Sequence, residues 1–128
     1  MPFLRISVPV GKGPDHKGAV GDAVHDAMVD SLGVSADDRF QVISEHGRDE
    51  LLFDRGYLGV DRSDHCIFIA VTMKRGRTPA QKTAFYAAIA ANLEARLGLR
   101  RQDVMVVLTE NDPIDWSFGN GEAQLAGS

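Results

Sequence analysis

Two segments of the chain alternate between apolar and polar positions with a period of two. Residues 3–10 and 65–73 follow this pattern, which predicts β-strands that turn one apolar side towards a core. The inward positions hold Leu4, Ile6, Val8 and Val10 in the first strand and Ile67, Ile69, Val71 and Met73 in the second. Phe3 and Phe68 fall on the opposite side, so both faces of the predicted sheet need cover.

Each of these strands is followed by a segment with apolar residues at helical spacing, over residues 14–32 and 79–97. The second helix has a marked start, because Thr78 and Gln81 match a capping box around Pro79 at the first helical position. A glycine that suits a left-handed C-cap follows each helix, at Gly33 and Gly98.

Shorter apolar segments, residues 39–44 and 104–109, are predicted to be the closing strands of two strand–helix–strand units. We expect residues 45–64, between the two units, to form a loop with a short hairpin. The tail, residues 111–128, is rich in glycine and small residues around two aromatic side chains, Trp116 and Phe118.

The sequence repeats itself at an offset of 65 residues without a gap. Identical residues that fall in register include Pro14 with Pro79, Lys17 with Lys82, Gly33 with Gly98, Asp38 with Asp103 and Glu45 with Glu110. The alternative is that any two units of this kind look alike.

The repeat predicts an α+β (α/β two-layer) fold, in which a tandem β-α-β repeat with pseudo-twofold symmetry builds a four-stranded mixed sheet plus a short hairpin, with two long helices on one face. We expect a single domain over residues 1–128, with halves of about 2–63 and 64–128. A neighbouring subunit is expected to cover the other face of the sheet.

Composition narrows the function classes. The chain has 128 residues, a net charge of -4 and one cysteine, Cys66, which excludes an internal disulfide and favours a cytoplasmic location. Mixed charges and short apolar segments argue against nucleic-acid and membrane partners. The four histidines share no metal-ligand spacing, and His25 is expected to be exposed. We expect no metal and no cofactor.

Pro2 is the first candidate for chemistry. If the halves run antiparallel, Pro2 lies close to Arg75 and Arg77, just ahead of a helix N-terminus that favours anions. Removal of Met1 would make Pro2 a secondary amine, and an apolar site with nearby cations would lower its pKa from the ordinary range of about 7.7–8.0. Such an amine serves as a general base, or as a cation or iminium former that activates a carbonyl. The alternative is that proline here serves only efficient removal of Met1.

The other candidates also have two interpretations each. Arg75 and Arg77 bind a substrate carboxylate, since guanidinium groups hold carboxylates with two hydrogen bonds, or they pair with surface acids. Asp38 orients water or a substrate group, or it serves solubility in a helix-to-strand loop. Trp116 and Phe118 wall a pocket, or they are plain core in a C-terminal flap.

These residues resemble the tautomerase superfamily, and within it the malonate semialdehyde decarboxylase group. The resemblance rests on Pro2 after the initiator, the doubled β-α-β unit, Ala-Asp-Asp38-Arg-Phe-Gln, Arg75-Gly-Arg77-Thr before the second helix, and the segment Trp116-Ser-Phe118-Gly. It implies a trimer in which Pro2 is the catalytic amine, Asp38 assists the reacting group or a water, and Arg75 and Arg77 bind the substrate carboxylate. It also implies a pocket wall of Trp116, Phe118 and Leu125.

Two departures from the family pattern bear on the substrate. The decarboxylase pattern reads Arg-Pro-Arg with one residue fewer ahead of it, and related members keep only the second arginine, which makes Arg77 the safer assignment. The tail also ends soon after Leu125.

The resemblance favours a cofactor-independent decarboxylase of a small 3-oxo acid such as malonate semialdehyde. The alternatives are a keto–enol tautomerase of arylpyruvate-like acids, a hydratase of unsaturated acids, and a binding trimer without catalysis. Among the enzymes, a high pKa of Pro2 favours decarboxylation or hydration and a low one favours tautomerisation.

Overall fold

The computed structural model describes residues 2–126. The helices and strands follow the predicted order, strand–helix–strand in each half: β1 (Phe3–Pro9), α1 (His16–Leu32), β2 (Gln41–His46), β3 (Ile67–Lys74), α2 (Pro79–Leu97) and β4 (Val104–Asn111). None of the helices among these residues is both long and apolar enough to span a membrane.

The four strands form one mixed sheet in the order β2-β1-β3-β4. β1 is parallel to β2, β3 is parallel to β4, and the halves join through the antiparallel pair β1 and β3, with Ile6 opposite Ile69. The starts of β1 and β2 therefore share one end of the sheet with the finishes of β3 and β4, and we call it the Pro2 end. The end where β1 and β2 finish and β3 and β4 start is called the Lys12 end.

The hydrophobic core lies between the sheet and the two helices, which pack side by side on one face. The alternating positions of β1 and β3 are buried there beneath apolar residues of both helices such as Val24, Met28, Phe85, Ile89 and Leu93. The predicted inward positions are confirmed except for Val10, which lies beyond the end of β1 and is 52% exposed. The two-layer β-α-β fold expected from the repeat is confirmed.

The ends of the helices follow from local chemistry. α2 begins with the predicted capping box, in which Gln81 N donates to Thr78 Oγ1 (3.2 Å) and Thr78 N donates to Gln81 Oε1 (2.9 Å). α1 begins at His16, two residues later than predicted, and no side chain caps it at Asp15. Both helices end on a glycine in the left-handed region, Gly33 with φ 68° and Gly98 with φ 65°.

The repeat extends to side-chain contacts. Lys17 pairs with Glu45 in the first half, and Lys82 pairs with Glu110 at 2.8 Å in the second. All four residues lie at positions related by the offset of 65. Each pair joins the first turns of a helix to the end of the strand that follows it, so the two halves fix their crossovers by the same contact.

The loops at the two ends of the sheet repeat as well. Val10 N donates to the carbonyl oxygen of His46 (3.0 Å) at the Lys12 end, and Arg75 N donates to that of Asn111 (2.8 Å) at the Pro2 end. The two hydrogen bonds differ by 65 in both donor and acceptor position. Each end of the sheet therefore has a structural counterpart at the other.

The prediction of a short hairpin within residues 45–64 is wrong. Residues 47–66 contain no strand and make instead a single 3-10 turn at Tyr57–Gly59. Leu58 adopts a left-handed conformation there, with φ 58°. The Arg62 guanidinium donates to three backbone carbonyl oxygens of the segment, at Asp54, Tyr57 and Val60. Those bonds take the acceptors that a hairpin ladder would use.

The face of the sheet away from the helices carries exposed apolar side chains. Val42, Met105 and Val107 are 46%, 44% and 49% exposed on it. A cavity of about 500 Å³ lies between this face and the loop that carries Phe53 and Tyr57. The strands are thus apolar on both sides, as predicted, and a single chain covers only one of them.

Candidate active site

Pro2 is buried at the start of β1. The next residue, Phe3, lies opposite Thr72 near the end of β3. On the other side, Leu4 N donates to the carbonyl oxygen of Phe40 (3.0 Å), which fixes the chain just ahead of β2 beside the start of β1. The Pro2 end thus joins the first residues of the protein to the loops before β2 and after β3.

Arg75 follows β3 directly, at the same end of the sheet. Its Nε donates to Asp112 Oδ1 at 3.0 Å, and its side chain is 65% exposed. Because the pair lies in solvent, its contribution to stability is small. The structure therefore brings Arg75 to the predicted end of the sheet but pairs it with an acid of the segment after β4.

Arg77 lies two residues further on, at the entrance to α2. Its Nε and Nη2 donate to the carbonyl oxygen of Leu32, at 3.4 and 3.2 Å, in the last turn of α1. A cation is favourable there, since the last carbonyl groups of a helix carry partial negative charge. Among residues 2–126, Arg77 makes no ion pair with a carboxylate. Three of its five N–H groups remain for an anionic ligand.

Asp38 lies in the loop between α1 and β2. Its N–H donates to the carbonyl oxygen of Ser35 (3.0 Å), and its side chain is half-buried. The loop is tied to α1 by His25, whose Nε2 lies 2.8 Å from the carbonyl oxygen of Ala36. The expectation that His25 is exposed is wrong, since it is only 7% exposed. A buried imidazole needs a hydrogen-bond partner, and the carbonyl oxygen of Ala36 supplies one.

The aromatic residues of the tail pack at the Pro2 end. Trp116 and Phe118 stack with ring centroids 5.5 Å apart and an interplanar angle of 9°. Trp116 Nε1 donates to Asn111 Oδ1 (2.7 Å), which ties the pair to the end of β4. Phe118 also contacts Phe40, with centroids 5.7 Å apart. Phe40 thus joins the aromatic cluster of the tail, and its apolar side chain just ahead of β2 is the signal that could have identified it.

The segment after β4 is held by its own polar contacts. Asp112 N donates to Asp115 Oδ2 (2.9 Å), so the residue that pairs with Arg75 also begins the turn leading to Trp116. Further along, Gln124 accepts from Phe118 N at 2.9 Å and donates to Gly119 O at 2.8 Å. The half-buried Leu125 follows directly. These contacts keep the tail folded beside the Pro2 end.

Three cavities formed by the described residues lie elsewhere. One of about 500 Å³ is on the open sheet face, and two of about 450 and 430 Å³ are at the Lys12 end. None of these three is lined by Pro2, Arg77 or Trp116. The enclosed pocket that we expect between the tail aromatics and the amine stays a prediction.

Comparison with known proteins assigns the family. Sequence models of tautomerase enzymes match residues 38–119 and 2–55. The chain belongs to the tautomerase superfamily. A relative named Probable tautomerase YusQ, from Bacillus subtilis (strain 168), is 39% identical over 125 residues, which are 98% of this chain and 98% of the relative. The resemblance drawn from the sequence is confirmed.

Solved structures of tautomerase-superfamily proteins share the fold. A malonate semialdehyde decarboxylase, whose structures are described as a basis for its decarboxylase and hydratase activities, is 36% identical with a TM-score of 0.89 and covers 96% of this chain and 95% of its own. A fused 4-OT solved as a symmetric trimer is 26% identical with a TM-score of 0.79 and covers 98% of this chain and 99% of its own. This tautomerase-superfamily protein is therefore an enzyme, with decarboxylase or tautomerase activity.

Proposed function

We propose that this enzyme decarboxylates a small 3-oxo acid, with malonate semialdehyde as the preferred substrate, and that it needs no cofactor. The observation that carries the proposal is that Pro2 and the Arg75–Arg77 segment lie at the same end of the sheet, since Phe3 pairs with Thr72, three residues before Arg75. The similarity to a malonate semialdehyde decarboxylase over nearly the full chain supports it.

In this proposal Arg77 binds the substrate carboxylate. Its remaining N–H groups form a fork that suits two carboxylate oxygens, and charge-assisted hydrogen bonds of this kind are worth about 1.5–3 kcal/mol each. The positive N-terminus of α2 begins two residues later, at Pro79, and favours the same charge. Arg75, held by Asp112, is a second cation in the same segment.

Pro2 acts on the carbonyl group. Once Met1 is removed in the cytoplasm, where we expect the enzyme to act, Pro2 carries a secondary amine. As a cation it polarises the carbonyl, or once deprotonated it forms an iminium with it. As the carbon–carbon bond breaks, its electron pair moves towards the carbonyl carbon and carbon dioxide leaves, which gives an enol or, from the iminium, an enamine. The α-carbon then takes up a proton. The enol gives acetaldehyde directly, whereas the iminium, whose formation released one water, is hydrolysed by one water to acetaldehyde and the free amine. The surrounding Trp116, Phe118 and Leu125 would favour loss of the neutral gas, since an apolar wall disfavours the bound anion.

A tautomerase is the second candidate, and the relatives named probable tautomerases favour it. In that reaction Pro2 is a neutral base that transfers a proton between the enol oxygen and the α-carbon of an arylpyruvate-like acid. A hydratase reaction would use Asp38 to prepare a water. All three reactions need the same bound carboxylate. A low pKa of the amine favours the tautomerase reaction, and a high one favours the other two.

Product analysis decides between these candidates. Malonate semialdehyde and the enol form of an arylpyruvate are offered to the enzyme side by side and followed by proton NMR, with a buffer blank for spontaneous ketonisation. Prompt acetaldehyde is the result expected for the decarboxylase. Turnover of the enol alone would support the tautomerase, and no turnover of either would contradict both and leave the hydratase reaction to be tested with an unsaturated acid.

A homotrimer belongs to the same proposal. The open sheet face supports it, because exposed Val42, Met105 and Val107 lie together on a face that the helices do not cover. Light scattering after size exclusion is expected to give about 42 kDa, three times the 13.9 kDa of one chain.

Two variants test the interface that this trimer implies. Val107→Glu on the open face is expected to shift the mass towards one chain, since it would bury a charge at an apolar interface. The matched control Ala91→Glu, on the exposed side of α2, should keep the trimer. A wild-type mass of one chain would contradict this part of the proposal.

A further inference from the structure

A polar cavity of about 450 Å³ lies at the Lys12 end of the sheet, away from the candidate active site. Its charged and titratable lining residues are Lys12, His16, His65, Arg100 and Asp103. The neighbouring cavity of about 430 Å³ shares Lys12 and His65 with it. The space is therefore bordered by two cations and two imidazoles, against one carboxylate.

The cavity occupies the position that the repeat makes equivalent to the candidate active site. Lys12 corresponds to Arg77 and Leu97 to Leu32 at the offset of 65. Arg77 contacts the carbonyl oxygen of Leu32 at the Pro2 end, and Lys12 and Leu97 line the same cavity at the Lys12 end. At both ends, a cation ahead of one helix thus lies at the same site as the last turn of the other helix, in contact with it at the Pro2 end and across a shared cavity at the Lys12 end.

The acid of the candidate site has its counterpart too. Asp103 corresponds to Asp38, and each of them donates its N–H to a carbonyl oxygen three residues back, at 3.0 Å in both cases, on Arg100 and Ser35. The Asp103 carboxylate is buried and accepts from Ser63 N (2.7 Å) and Ser63 Oγ (2.6 Å), with Arg100 Nη1 at 3.8 Å. Its charge is therefore compensated within the wall.

Two groups at the cavity lack the partners that a ligand would supply. His16 Nε2 is buried and has no hydrogen-bond partner among the described residues. Burial, followed by the nearby Lys12 charge, lowers the pKa of His16, so a neutral ring can donate from this atom. The α1 N-terminus, which begins at His16, has no side-chain cap and leaves backbone N–H groups for an anion.

The Lys12 end differs from the Pro2 end in one respect that decides its chemistry. The position equivalent to Pro2 is Ile67, whose nitrogen is a peptide amide inside β3 and cannot act as an amine. The adjacent Cys66 thiol is buried, which raises its pKa and keeps it protonated. A ligand held here would be bound and not converted.

We propose that this cavity is a second anion site, which binds a small carboxylate through Lys12, Arg100 and His16 and does not turn it over. The choice of a carboxylate as the ligand rests on the function proposed for the Pro2 end. The location of the site does not. The same enzyme would then carry one reactive and one purely binding site for the same class of ligand.

The test follows the imidazole resonances of the uniformly ¹⁵N-labelled enzyme by NMR while malonate is added, with phosphate in a parallel arm. We expect saturable shifts of His16 and His65 with malonate and weaker ones with phosphate. Lys12→Met and Arg100→Gln should each weaken malonate binding by at least about fivefold. Arg101→Gln removes a neighbouring exposed charge that pairs with Glu94 and should change binding less than about twofold.

Trp116, the one tryptophan of the chain, reports on the other end of the sheet. Loss of its fluorescence response to malonate in Arg77→Gln, with the His16 shifts retained, would show two separate sites. His16 shifts without any Trp116 response in the wild type would support this site while the function proposed for the Pro2 end fails. Absence of saturable His16 shifts, saturation by phosphate alone, or equal binding in Lys12→Met would overturn the proposal.

Discussion

Replacement of Pro2 by alanine is expected to lower the turnover of the preferred substrate by at least about 100-fold, the lower end of what a positioned proton-transfer group contributes. Alanine also permits removal of Met1, so the variant keeps a free amine but loses the secondary amine and its rigid ring. The measurement is the steady-state rate of acetaldehyde release, or of ketonisation if the tautomerase reaction is the active one.

The control for this variant is its folded state. Pro2 has no N–H to contribute to the sheet, so the thermal unfolding midpoint of Pro2→Ala should stay within a few degrees of the wild type, as expected for a change of less than about 1 kcal/mol. Mass spectrometry verifies that Met1 is absent from both proteins. Wild-type turnover in a correctly processed Pro2→Ala protein would refute the amine mechanism.

Replacement of Arg77 by glutamine is expected to lower kcat/KM by about 100-fold, which corresponds to about 2.7 kcal/mol of lost transition-state binding. The loss arises because the side chain no longer offers a charged fork to the substrate carboxylate. A smaller cost in stability, about 1 kcal/mol, should accompany it, since the contact with the Leu32 carbonyl oxygen at the end of α1 is weakened.

Arg75→Gln is the matched comparison for this variant. Its side chain is 65% exposed and pairs with Asp112, so we expect a loss in kcat/KM of less than about tenfold. Steady-state kinetics and chemical denaturation of both variants provide the two quantities. An equal loss in both variants would mean that both arginines bind the substrate carboxylate. A larger loss in Arg75→Gln would mean that Arg75, and not Arg77, is its main ligand.

Much of the fold could be predicted because each half carries the same local signals. Period-two alternation, helical spacing and a glycine after each helix all point to the same elements, and the offset of 65 predicts how they pair. The short hairpin could not be predicted correctly, because the competing bonds come from Arg62, a side chain that approaches three carbonyl groups only in the folded loop.

The sequence predicts where the residues of the candidate site lie, but it does not predict most of their contacts. Topology alone brings Pro2, the arginine segment and the strand before Trp116 to one end of the sheet. The pairing of Arg75 with Asp112 and the approach of Phe40 to Phe118 depend on how the tail folds back over that end. Such contacts between distant segments leave no periodic signal in a single sequence.

The burial of Pro2 has a practical consequence for handling the protein. Any extension linked ahead of this residue would turn its nitrogen into an amide and would have to leave through the space at the Pro2 end where the substrate is expected to bind. If Pro2 is the catalytic amine, as proposed, an amino-terminal purification tag would therefore block the site, and its removal by a protease that leaves no extra residue would restore activity.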